Sequence, residues 1–130
     1  MERKPIQTKN APEAIGPYEQ AIRAGDFLFS SGQISMDPAT GEMISGEIEE
    51  ETERVLKNLE AILSAAGFTL QQVIRTTVYL TDMGHFARMN EVYAKFFSEK
   101  KPARSCVQVA ALPKGAKIEI DLIAAATRTL

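Results

Sequence analysis

The stretch Lys101-Pro102-Ala103-Arg104-Ser105-Cys106-Val107-Gln108-Val109 holds residue types able to grip an anion. On a strand, alternate side chains share a face, so Arg104, Cys106 and Gln108 stand on one side and Ser105, Val107 and Val109 on the other. A guanidinium presents two parallel donors that match a carboxylate. The same Arg would be equally at home in a surface salt bridge, and the pattern by itself favours that plainer reading. Cys106, beside a cation, reads either as a reactive thiol or as a small buried residue, with burial the better fit. A second run alternates Ile118, Ile120 and Leu122 with Glu119 and Asp121. Facing water, those acids would be solvated and inert. Against another subunit Glu119 would be drier and able to exchange protons. Gly16-Pro17-Tyr18 and Ser30-Ser31-Gly32-Gln33 are small, turn-forming segments that let backbone approach a ligand, although turn chemistry alone accounts for them.

Composition narrows what else the chain can be. Its 130 residues suit a single domain, 1–130, and 45% hydrophobic with 25% charged residues is a folding composition rather than a disordered one. A net charge of −2, with the signs interspersed, gives no general pull toward nucleic acid or anionic membrane. One cysteine and one histidine exclude an internal disulfide and a zinc site of the usual Cys/His kinds. The Walker, Gly-x-Gly-x-x-Gly, His-Glu-x-x-His and Gly-x-Ser-x-Gly patterns are missing. His85, next to Gly84, reads as an exposed polar residue at a helix entry. The opening Met1-Glu2-Arg3-Lys4 leads into polar sequence, and no run approaches the about 18 apolar residues of a membrane span. A cytosolic protein is expected.

The elements that must position these residues emerge from periodicity. Lys4–Lys9 reads as an edge strand and Asn10–Tyr18, with Pro12, Gly16 and Pro17, as a loop. Glu19–Arg23 and Phe27–Ser31 flank the Ala24-Gly25-Asp26 turn as a hairpin, and Asp37–Gly41 is a further turn. Ile48, Val55, Leu59, Ile62, Leu63 and Ala66 recur at helical spacing, acids open that segment and Gly67 stops it. Val73–Leu80 is a buried strand. A second helix begins near Met83 or Phe86 and runs to Phe97. Arg104–Ala110 and Lys117–Ala126 are the last strands. The order predicts an α+β domain with two helices on one face of a mixed sheet.

Taken together, Ala14-Ile15-Gly16-Pro17-Tyr18, Ser30-Ser31-Gly32-Gln33-Ile34, Met89-Asn90-Glu91-Val92-Tyr93, Lys101-Pro102-Ala103-Arg104-Ser105-Cys106-Val107 and Leu112-Pro113-Lys114-Gly115-Ala116-Lys117-Ile118-Glu119-Ile120 resemble the reactive intermediate deaminase family, also called RidA or YjgF. The segments fall in the family's order and cover nearly the whole chain. The resemblance implies a chorismate mutase-like fold of the Bacillus type. In it a six-stranded mixed sheet packs against two helices, and three subunits join around a central barrel with clefts between neighbours. It implies hydrolysis of 2-iminobutanoate and 2-iminopropanoate, enamine/imine products of pyridoxal-phosphate dehydratases, to 2-oxo acids and ammonia.

By the same resemblance Arg104 matches the residue that holds the substrate carboxylate. Cys106 matches a position whose backbone carbonyl faces the imine nitrogen. Glu119 matches the acid that positions the attacking water, and Tyr18, Ser31, Gly32 and Asn90 match pocket residues. Such chemistry calls for no metal or organic cofactor, only a small 2-imino or 2-oxo acid ligand and a homotrimer, with no nucleic acid or membrane. The alternative is a trimer that binds 2-oxo acids as a regulator without turnover. RNA cleavage, attributed to some members of the family, finds little support in a chain of this charge with one His.

Overall fold

Apolar residues three and four apart wind the longest helix, α1 (Ile48–Ala65), in the computed structural model, which describes residues 1–126. Val55, Leu56, Leu59, Ile62 and Leu63 form its buried stripe, and Glu49, Glu50 and Glu51 occupy its first turn, at the positive end of the helix dipole. Its end is a Schellman closure. The Phe68 N–H reaches back to the Leu63 carbonyl (2.8 Å) and the Gly67 N–H to that of Ser64 (3.1 Å), with Gly67 at φ +82°. The second helix, α2 (Phe86–Phe96), packs beside α1 and buries Met89, Val92 and Tyr93.

Beneath the helices lie β1 (Arg3–Ile6), β2 (Ala21–Ala24), β3 (Phe27–Ser30), β4 (Val73–Leu80), β5 (Ala103–Gln108) and β6 (Ile118–Ala125). They form one six-stranded sheet in the order β1-β2-β3-β6-β4-β5, antiparallel except for the β4–β5 pair. The last strand therefore slots between β3 and β4, and the crossover through α1 spans it. Its alternation is complete: Ile118, Ile120, Leu122 and Ala124 are buried toward the helices, and Glu119, Asp121 and Ile123 face the other way. That other face of the sheet has no helix on it and exposes Phe27, Phe29 and Val107. Among the described residues no helix is long and apolar enough to cross a membrane.

The predicted α+β architecture, both helices and the strands are all present, with ends shifted by a few residues. The β3–β6 ladder is interrupted by a bulge. Phe29 pairs with Ile123, and the ladder resumes where Gln33 and Ile120 exchange bonds of 2.9 and 3.1 Å. Ser30, Ser31 and Gly32 thus span the two residues Asp121 and Leu122. The Ser30 hydroxyl accepts the Leu122 N–H (2.9 Å) that the bulge would otherwise orphan.

Buried polar side chains hold the loops in place. Gln20 donates to the Pro12 carbonyl (2.7 Å) and accepts the Thr8 N–H (2.8 Å), fixing the loop before β2. Asn58 donates to the Met36 carbonyl (2.9 Å). Among the acids that open α1, Glu51 turns inward. It is 2% exposed and accepts the Ser35 hydroxyl (3.0 Å) and the Lys117 N–H (3.2 Å), joining α1 to both the bulge segment and the start of β6. Satisfied bonds at buried groups are what make this burial tolerable.

Leu59 is fully buried under both layers. Leu59→Ala is expected to lower the unfolding free energy by about 2–5 kcal/mol. The measurement is the urea midpoint at fixed protein concentration, and a change under about 1 kcal/mol would contradict this packing.

Candidate functional site

Arg104 lies on the edge strand β5, one register step from Cys106, and both side chains point to the helix side. Its register partner Thr76 is buried and shares a 2.7 Å hydrogen bond with the Tyr93 hydroxyl. The guanidinium carbon sits 4.7 Å from the Tyr93 ring centre and 5.5 Å from that of Phe86, and its Nη1 donates to Asn90 Oδ1 at 2.6 Å. Helix α2 thus supplies two aromatic faces and an amide that orient the cation. Among the described residues no carboxylate lies within ion-pair distance of it. The guanidinium is held, yet its charge is left unneutralised.

Cys106 is half-buried, and burial pushes its thiol up from the usual value against the opposing pull of Arg104. It stays protonated at neutral pH, a poor nucleophile. Its backbone is better placed to act. The Val109 N–H bonds to the Leu80 carbonyl (2.8 Å), so residues 105, 107 and 109 turn their peptide groups toward β4. By alternation the Cys106 carbonyl faces the unpaired edge of the sheet.

Glu119 belongs to a different neighbourhood. It lines a cleft of about 370 Å³ together with Tyr18, Gly32, Ile15, Pro113 and Lys114. The loop before β2 and the bulge after β3 build this cleft, the two segments that Gln20, Asn58 and Glu51 tie down. Burial raises the Glu119 carboxyl above the ordinary glutamate value, and the charge of Asp121, two residues along the same strand face, adds to the rise. Asp121 accepts the Tyr79 hydroxyl at 3.1 Å, which pins that charge next to Glu119. Lys114 at the cleft lip holds φ +56°, a left-handed conformation unusual for a residue with a side chain.

The structure brings Arg104, Cys106 and Asn90 together in one cluster and Tyr18, Gly32 and Glu119 together in another. It does not bring the two clusters together in one chain. Arg104 is on the helix side of the sheet and Glu119 on the bare side. Ser31 sits beside the cleft rather than in it, its hydroxyl donated to the Glu19 carbonyl. His85 is half-buried at the entry to α2 with Nδ1 unpartnered among the described residues, not exposed as its neighbour Gly84 suggested. The stack of Phe86 and Tyr93 around Arg104 is not legible in the sequence, where both read only as members of the second helix. Lys114 and Tyr79 went unmarked because nothing in their local sequence shows what they face. Among the described residues no group of three or more His, Cys, Asp or Glu side chains is arranged to hold a metal ion.

Comparison with known proteins agrees with this layout. A family model described as Endoribonuclease L-PSP matches residues 8–126. A RutC family protein of Pyrococcus horikoshii is 59% identical over 119 residues, 92% of this chain and 94% of the relative. The human 2-iminobutanoate/2-iminopropanoate deaminase is 48% identical over 122 residues, 94% of this chain and 89% of the relative. The crystal structure of E. coli TdcF with bound serine superposes with a TM-score of 0.92 at 46% identity, covering 95% of this chain and 99% of that one. With the whole fold and both site clusters inside the matched span, the chain belongs to the RidA/YjgF family.

Proposed function

We propose that the protein hydrolyses small 2-imino acids, of the size of 2-iminobutanoate and 2-iminopropanoate, to 2-oxo acids and ammonia in the cytosol. Its site forms between copies of the chain in a chorismate mutase-like homotrimer, the Arg104 cluster coming from one copy and the Glu119 cleft from its neighbour. The observation that carries this reading is the division of labour on the sheet. One cluster offers a fixed, unneutralised cation at a free strand edge, and the other a carboxylate of raised pKa in a cleft. The bare sheet face, with Phe27, Phe29 and Val107 exposed, is apolar surface suited to burial against other copies. The human relative's deaminase name and the serine bound to TdcF support a small amino-acid-like carboxylate as ligand.

The chemistry follows from the groups. Arg104 pairs with the substrate carboxylate through two parallel bonds and so sets the orientation of the C=N group. The Cys106 carbonyl accepts the N–H of the protonated imine. Tyr18, Gly32 and Asn90, with Ser31 behind them, shape the space around it. Glu119 takes a proton from water as the oxygen adds to the carbon of the protonated imine, then returns it to the nitrogen. The C–N bond breaks to release ammonia while the new hydroxyl gives its proton to Glu119 and becomes the C=O of the 2-oxo acid, and that proton leaves with ammonia as ammonium, which restores the carboxylate. A carboxyl whose pKa is raised toward the working pH makes a better base and a better returning acid than an ordinary glutamate.

Arg104→Ala removes two charge-assisted bonds of about 1.5–3 kcal/mol each. A fall in kcat/KM of about 10²-fold or more is therefore expected, read as 2-oxobutanoate release in a threonine dehydratase mixture. An unchanged rate would defeat the assignment, and ligand-dependent melting with no turnover by the parent protein would favour a binding role.

Mixing tests the shared site. Arg104→Ala and Glu119→Gln chains, each inactive alone, are co-refolded at equal concentration. A random trimer then regains about a quarter of the intact sites. Activity that stays at zero in demonstrably mixed trimers would confine the site to one chain.

The pH response has a defined sign. The raised pKa of Glu119 places the acid limb of the rate profile above the range of an ordinary glutamate, and activity is lost as pH falls through it. Asp121→Asn removes a contributing charge and moves that limb to lower pH. The folded state holds this proton more tightly than the unfolded chain, so stability falls as pH rises from the unfolded pKa to the raised one. Glu119→Gln is accordingly expected to unfold at the same or a higher urea concentration at neutral pH.

A further inference from the structure

Gly32 stands in the bulge after β3 with a backbone that any residue can adopt, since its φ lies outside the left-handed region that favours glycine. Conformational freedom is therefore not what this position asks for. A Cβ built on Gly32 would lie 2.3 Å from Oε2, 2.7 Å from Cδ and 3.0 Å from Cγ of Glu119. The carboxyl end of Glu119 occupies the volume where any other residue would carry its side chain. The two backbones cannot move apart to relieve such a clash, because Gln33 and Ile120, the next residue along each segment, are joined by a pair of hydrogen bonds. The Glu119 side chain is the part free to yield.

We propose that Gly32 is a positioning residue: its missing side chain is the seat that fixes the Glu119 carboxyl inside the cleft, at the depth and angle from which it meets water. The catalytic meaning of that seat rests on the proposed role of Glu119 as acid and base; the seat itself rests on geometry. Gly32→Ala turns the carboxyl out of the cleft without asking the backbone for anything. The variant should fold and assemble while its acid-base group points elsewhere. Shortening the acid by one methylene, Glu119→Asp, withdraws it from the added methyl.

The test measures three chains against the parent: Gly32→Ala, Glu119→Asp and the double variant. The expected result is a fall in kcat of about 10- to 100-fold in Gly32→Ala with KM little changed. Its melting temperature should match that of Gly46→Ala, a control in which a Cβ meets the Glu50 carboxylate (Oε2 at 2.7 Å) outside the cleft. The double variant should be no slower than Glu119→Asp alone. A readout independent of turnover is the side-chain titration of Glu119, followed by NMR with 13C-labelled glutamate. It should move in Gly32→Ala toward the value of a solvated glutamate, because the carboxyl leaves the burial that raises it.

An unmoved Glu119 titration in folded Gly32→Ala would overturn the proposal, as would losses that simply multiply in the double variant. If Gly32→Ala melts early, recovery in the double variant supports the seat and a double variant that is equally weak rejects it. Imine hydrolysis that survives in Glu119→Gln defeats the catalytic role of Glu119 and with it the kinetic part of the proposal. The titration would still report on the seat.

Discussion

A β-strand can offer its side chains to only two faces, and in this sheet one face is spent on the core. The rest of the molecule is arranged around that constraint. Strand β6, between β3 and β4, commits Ile118, Ile120, Leu122 and Ala124 to the helices, and the same alternation commits Glu119 and Asp121 to the bare side. Strand β5 lies at the sheet edge, where the helix side is only partly covered. Arg104 and Cys106 can therefore face α2 and still reach the boundary. A slip of one residue in β6 would bury both acids and expose the isoleucines, so the hydrophobic core and the position of Glu119 are set by one register. The bulge at Ser30–Gly32 and the Gln33–Ile120 pair are where that register is pinned beside the cleft.

Charge placement runs against stability at both clusters. A guanidinium without a carboxylate and a carboxyl raised by burial and by a neighbouring acid each forgo the pairing that charged groups usually find. Some charges elsewhere in the fold are paired. Arg88 makes a two-pronged bond to Glu49 and a further one to Glu47, which lowers both carboxyls from the usual glutamate value. Buried Glu51 is fully bonded. Among the described residues the ion pairs involve only Lys57, Arg88 and Lys117, so a cation without a carboxylate is common in this chain. Arg104 is marked instead by how it is held, between two aromatic rings and the Asn90 amide at the sheet edge.

Most of the architecture was legible from sequence because it depends on patterns that repeat. The α1 stripe, the Val73–Leu80 run and the β6 alternation are long enough for one period to exclude the other. Gly67 was readable as a stop because a Schellman closure demands its conformation. What escaped were single side chains acting at long range. Nothing beside Gln20 in the sequence indicates that it will bind the backbone of residues 8 and 12, and nothing beside Glu51 separates it from Glu49 and Glu50, which stay outside. Arg104, Cys106 and Glu119 were singled out as residues, but their neighbourhoods were not. The strand pattern gives the faces of β5 and β6 separately, and only the pairing of both with β4 sets Arg104 and Glu119 on opposite sides.

That opposition has a chemical consequence. Strand β4 lies between β5 and β6, and Arg104 pairs with Thr76 while Glu119 pairs with Tyr79, so the two charges are two strands and three register positions apart as well as on opposite faces. No ion pair between them within one chain neutralises the guanidinium or draws the carboxyl pKa down. Either change would work against the proposed reaction. The cation must be open to a substrate carboxylate, and the acid must hold its proton loosely enough to give and firmly enough to take. In the proposed trimer, separation by the sheet keeps both groups in their working states until a neighbouring copy supplies the complement. In the proposed assembled site, the substrate's own carboxylate answers Arg104, so the short-circuit between the two protein charges is avoided a second time. Exclusion of water from the proposed junction would strengthen the Arg104–carboxylate attraction and raise the basicity of Glu119 further. On the proposed reading, assembly is therefore the step that joins two half-sites into one that can move a proton.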